Sequence, residues 1–169
     1  YVIPTHVHLD HAGGAGAMMA LFPDATLLVH PKGAKHLIDP ERLIASSIEV
    51  YGQQAFTALY GEVVPVAAHR VQTVEDEFEL DLNGRKLHFR HTPGHADHHF
   101  CVWDELSNGW FSGDIFGVSY QSMRFAGGDF VMASTTPTQF RPEEFLDSVE
   151  LLKSYSPTKM YVTHFGELT

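Results

Sequence analysis

Thr5-His6-Val7-His8-Leu9-Asp10-His11 puts four potential metal ligands into six positions, directly after a short apolar run at residues 2–4. No other feature constrains the fold as tightly, because these groups can share metal sites only where the chain leaves a strand and turns. In an extended segment alternate side chains share a face, so His6 and His8 are placed to grip one ion while the turn sends Asp10 and His11 toward another. A second ion is implied. Gly13 and Gly14 then let the backbone turn into the next segment.

Histidine is the compositional outlier, with 12 residues in 169, and it is the commonest side chain to bind a metal. Three further candidates share one local context. His95 follows the run at 87–89 through Pro93-Gly94, Asp114 follows Trp110-Phe111, and His164 follows the run at 160–162. Each lies just past a predicted strand, and ligands supplied from several strand ends converge on one edge of a sheet. His30, His36, His69, His88 and His91 lack that context and read as surface or core residues.

Short apolar runs at 2–4, 26–29, 78–82, 87–89, 100–103, 110–111 and 160–162 predict strands. Asn83-Gly84 is the strongest hairpin signal and makes 78–82 and 86–89 antiparallel neighbours. Helices are predicted at 14–22, closed by Pro23-Asp24, and at 142–155, opened by Pro142 with Glu143 and Glu144 behind it. Residues 31–68 read as a mostly helical insertion. The class is mixed α and β, and no repeat or linker divides the chain, so one domain over residues 1–169 is expected.

A net charge of −10 with only 11 Lys and Arg disfavours a nucleic-acid partner. No run approaches the 18 or so apolar residues of a membrane span, so no membrane partner is expected. Cys101 is the only cysteine, which gives no sign of an oxidising compartment and favours a cytoplasmic address. The sequence opens at Tyr1 rather than Met, so any signal or transit peptide would have preceded it.

The order H-x-H-x-D-H, Gly-His after a strand, Asp after a strand and a late His resembles the metallo-β-lactamase superfamily over residues 2–166. The resemblance implies an αββα sandwich with two metal ions. His6, His8 and His95 would bind the first, Asp10, His11 and His164 the second, and Asp114 would bridge them. Only five residues precede His6, so the resemblance also implies that N-terminal strands of the sandwich are missing; the sheet then has an open edge that is either covered by another copy of the chain, a homo-oligomer, or left exposed. Thr92-Pro93-Gly94-His95-Ala96-Asp97-His98-His99 resembles the T-P-G-H-T-x-G-H segment of the glyoxalase II branch, with Ala96 and His98 in place of its Thr and second Gly. That branch's glutathione-binding helical domain has no counterpart in the five residues after His164.

Five imidazoles and two carboxylates suit zinc first, then iron or manganese. The resemblance implies hydrolysis of an ester, thioester, lactone or amide of a small molecule by a metal-bridging hydroxide, with Asp10 orienting the water and handling its proton. The loop at 115–136, with Phe116, Tyr120, Met123, Phe125, Phe130 and Met132, is the candidate substrate lid, and Phe116, Tyr120 and Met123 are its candidate contacts. Tyr51 and Tyr60 have weaker claims. Quorum-lactone hydrolases carry a Tyr where this chain has Gly117, which weighs against a lactonase, and retention of His11 with Asp114 does not point to antibiotic hydrolysis. Flavodiiron reductases place Glu at the position of His8. The competing readings are a mononuclear iron dioxygenase acting on persulfides and a non-catalytic binding module.

Overall fold

The structure, a computed structural model, describes residues 1–134 and 137–169. It falls into two compact units, Tyr1–Val74 and Glu75–Thr169.

In the first unit the run at 2–4 is too short to form a strand. Val2 makes one parallel bridge to Leu27, with Leu28 N–H donating to the Val2 carbonyl at 2.9 Å. The ligand-bearing segment is not extended throughout: His8 caps a single helical turn, α1 (Leu9–Ala12). α2 (Ala15–Leu21) follows, and its terminal carbonyls are closed by Arg70, whose guanidinium donates to Met19 O at 2.7 Å and Phe22 O at 2.6 Å. β1 (Leu27–Val29) is wholly buried. His30 then caps α3 (Pro31–Ile38) by accepting the Lys32 N–H on Nδ1, and Pro31 fills the first helical position, where no donor is needed. α4 (Glu41–Tyr51) and α5 (Gln53–Tyr60) meet at Gly52, which takes a φ of 80° that only glycine holds cheaply. β2 (Val71–Thr73) returns parallel to β1. Val7, Ala12, Met19, Leu27, Val29 and Leu37 form the main core, and Leu9, Phe56 and Val63 a second one beneath α4 and α5.

The second unit is a six-stranded sheet with a helix. β3 (Glu79–Leu82) and β4 (Arg85–His91) join through Asn83-Gly84, both at positive φ (52° and 92°), as a two-residue hairpin turn requires. β5 (Phe100–Asp104) and β6 (Gly109–Gly113) continue the antiparallel meander. A small hairpin, β7 (Val118–Ser119) with β8 (Val131–Met132), lies inside the segment read from sequence as a loop at 115–136; residues 135 and 136 of that segment lie outside the described residues. α6 (Pro142–Ser154) buries Phe145, Ser148 and Leu152, which lie three and four apart on one face. β9 (Lys159–Val162) runs parallel to β6, and β10 (Gly166–Leu168) turns back along it. The sheet order is β10-β9-β6-β5-β4-β3.

Candidate metal centre

Sheet directions decide where the second unit's ligands go. β4 and β6 are each antiparallel to β5, and β9 is parallel to β6, so β4, β6 and β9 all point the same way. His95, Asp114 and His164 follow the C-terminal ends of these three strands and therefore emerge at one edge. His95 Nε2 lies 3.3 Å from Asp114 Oδ2, and His164 Nε2 lies 3.4 Å from Asp114 Oδ1. Two oxygens of one carboxylate thus face two different imidazoles. Ligands at ~2.0–2.1 Å from a tetrahedral ion stand ~3.3 Å apart, so these spacings fit donors that share ions better than they fit direct hydrogen bonds. His95 and Asp114 are buried, whereas the His164 side chain is 28% exposed.

The loop that carries His95 is tied to α6. Gly94 O accepts the Arg141 N–H at 2.8 Å, Pro93 O accepts the Ser148 hydroxyl at 2.7 Å, and Asp97 pairs with the Arg141 guanidinium. Gly94 has a φ of 113° and its Cα backs onto the Phe145 backbone, so no larger residue fits there. Asp114 is held at both ends of its own peptide unit. Its N–H donates to His99 Nε2 at 3.2 Å, and its carbonyl accepts the Ser134 hydroxyl at 2.8 Å.

In the first unit, His6 Nε2 and His8 Nδ1 are 2.9 Å apart, and the Thr5 hydroxyl sits 3.1 Å from His6 Nδ1. His6 and His11 offer ligand atoms within 4.8 Å of one another. His11 Nε2 is 3.4 Å from Asp10 Oδ2, again near the edge length of a tetrahedral site. The Asp10 side chain is half exposed while that of His11 is buried. Each unit therefore gathers its own share of the sequence-nominated ligands: His6, His8, Asp10 and His11 in one, His95, Asp114 and His164 in the other.

The remaining candidates separate. Phe116 packs against the second unit's core, whereas Tyr120 and Met123 are exposed. Tyr51 and Tyr60 lie on α4 and α5 with ring centroids 6.1 Å apart; burial first, then Tyr51 beside it, pushes the Tyr60 hydroxyl up to about 12. His30 is a helix cap, and His88 sits between Glu79 and Glu105 on the sheet. Two residues of interest escaped sequence reasoning. His99 was signalled only by its place in the T-P-G-H segment. Phe165 carried no signal: it takes a φ of 82°, a region that costs a bulky residue about 1–3 kcal/mol.

A family model described as the metallo-beta-lactamase superfamily matches residues 1–164. The metallo-beta-lactamase fold-containing protein ST1585 of Sulfurisphaera tokodaii is 26% identical over 98% of this chain, and the beta-lactamase-like protein 2 homolog of Caenorhabditis elegans is 23% identical over 97%. The chain spans 60% and 41% of those curated relatives' lengths. The crystal structure of ST1585 superposes with a TM-score of 0.84 at 25% identity, covering all of this chain and 62% of that one. TTHA1623 of a di-iron-bound crystal structure gives 0.64 at 22% identity, over 99% of this chain and 70% of that one. With the family model running almost end to end, the chain belongs to the metallo-β-lactamase superfamily.

Proposed function

We propose that the chain is a dinuclear metal-dependent hydrolase whose ligands to two divalent ions, zinc by preference, are His6, His8, Asp10, His11, His95, Asp114 and His164. The observation that carries this reading is Asp114, whose two oxygens each stand at ligand spacing from a different histidine. A carboxylate so placed suits a bridge between two ions rather than a ligand of one. Bound there, two ions supply Lewis acidity toward a carbonyl and a water that ionises near neutral pH.

The chain's own residues do the rest. Five neutral imidazoles and two carboxylates set a donor set without thiolate, which suits zinc and leaves iron or manganese compatible. Asp10 is the half-exposed carboxylate of the set, able to orient water and to exchange its proton with solvent. Tyr120 and Met123, exposed on the segment after Asp114, are proposed as substrate contacts, with Phe116 backing them from the core. A small-molecule substrate with an ester, thioester, lactone or amide carbonyl fits this chemistry.

Elemental analysis of the purified protein, followed by a panel of those four substrate types, tests the reading. Two zinc ions per chain with hydrolysis that a chelator abolishes are expected. One iron per chain with oxygen uptake on a persulfide would replace it with the dioxygenase reading, and a metal-free inert protein would replace it with a binding module.

A further inference from the structure

We propose that Phe165, stacked on Tyr120, is the specificity-determining residue of this site and receives an aromatic acyl group, such as phenylacetyl, of the substrate. The inference rests on the hydrolytic reading above for its reaction, but not for its binding. Phe165 directly follows His164, and their ring centroids are 6.0 Å apart. It is 54% exposed, although aromatic side chains gain most by burial. Its ring lies nearly parallel to that of Tyr120, with centroids 4.9 Å apart and planes 27° from each other. Tyr120 is itself 40% exposed.

This pair is built rather than incidental. The backbone holds Phe165 at a φ of 82°, which a bulky side chain avoids unless its surroundings impose it. The surroundings are visible. Ser119 N–H donates to the His164 carbonyl at 3.2 Å, Arg124 donates to the Glu167 carbonyl at 3.0 Å, and the Gln121 amide closes against Gly166. Residues 119–124 thus clamp residues 164–167 on both sides of the ring. The result is a flat, uncharged aromatic surface beside the one ligand of the second unit that is open to solvent. Arg124, which holds this clamp, is itself paired with Asp129 at 2.5 Å. A third ring can extend the stack, whereas a short acetyl group reaches nothing. In the hydrolysis water adds to the acyl carbon, the bond to the leaving oxygen or sulfur breaks, and the proton goes to that leaving atom.

The test compares acetyl and phenylacetyl thioesters of one small thiol on the zinc-loaded protein, with phenylacetate and acetate binding followed by ligand-observed NMR before and after chelation. Phe165→Gly removes the ring while suiting the positive φ, and Phe165→Tyr keeps the ring. In Phe165→Gly the phenylacetyl-to-acetyl ratio of kcat/KM should fall about twofold to tenfold, the range of one aromatic stack, mainly through KM for the phenylacetyl substrate. Phe165→Tyr should restore it. Phenylacetate should bind more tightly than acetate to the wild type, with or without metal, and lose that preference in Phe165→Gly. If wild type hydrolyses neither thioester, the hydrolytic reading fails and the binding comparison alone decides the aromatic subsite. An unchanged preference in Phe165→Gly, by rate or by binding, overturns the proposal.

Discussion

His99 Nε2 accepts the backbone N–H of Asp114 at 3.2 Å, and that one bond fixes the direction of a buried chain of hydrogen bonds. With Nε2 as acceptor the ring proton sits on Nδ1, which donates to the Thr92 hydroxyl at 2.8 Å. The Thr92 hydroxyl donates to Cys101 Sγ, and the Cys101 thiol donates to the Ser112 carbonyl, each at 3.2 Å. His99 is therefore a positioning residue for Asp114. His99→Ala leaves a buried N–H unpaired, which costs about 1–3 kcal/mol, and should weaken metal binding about 10- to 100-fold, as loss of an outer-shell partner does. Thermal unfolding and competition with a coloured chelator measure the two effects, and unchanged metal affinity would remove His99 from the site.

Asp114→Asn keeps the side chain's shape but removes the charge that would offset two dications. Metal content should drop toward one ion or none, and hydrolysis by at least about 10- to 100-fold. The melting temperature of the metal-free protein should change little, because the sheet core of Trp110, Leu152, Met160 and Val162 lies behind the site rather than in it. A variant that retained two metals and near-native turnover would sink the bridging role.

Asp104 gives the fold a pH dependence unconnected with the metals. Arg85 donates to both of its oxygens, at 2.9 and 2.6 Å, and the Ser107 N–H adds a third bond. The Arg85 hydrogen bonds, working against burial, hold the carboxyl down to about 2. In the unfolded chain it returns to about 3.9. A depressed folded value means that the stabilisation is present above about pH 4 and is lost as the pH falls toward 2. Asp104→Asn should cost on the order of 1 kcal/mol at pH 7, since Arg85 is nearly half exposed and screened. Urea midpoints of the variant and the wild type should converge between pH 4 and 2; a constant gap across that window would refute the linkage.

Cys101 is buried within the sheet, and that burial pushes its thiol up to about 12, with the Thr92 hydrogen bond opposing and the Asp114 charge reinforcing the shift. The thiolate is the reactive form. Native protein at pH 8 should resist iodoacetamide for hours, and denatured protein should take up one equivalent at once. Rapid labelling of the folded chain would show that β5 and β6 open far more readily than their packing indicates.

The sequence by itself determined whatever depends on neighbours along the chain. His6, His8, Asp10 and His11 lie within six residues, the Asn83-Gly84 turn selects its own backbone geometry, and the helix after Pro142 carries its apolar face at the right period. Elements without such local signals were hidden. β2 is three residues with an exposed face, and it exists because β1 presents a parallel edge to it. β7 and β8 pair across eleven residues of Gly-containing loop. Only the tertiary structure decided that β4, β6 and β9 share a direction, and so brought His95 and His164 to opposite oxygens of Asp114. It also put Phe165 against Tyr120 and His99 beneath Asp114. Hydrophobic period and turn chemistry reach only a few residues along the chain, whereas strand order and register are set by which apolar faces bury one another across the sheet.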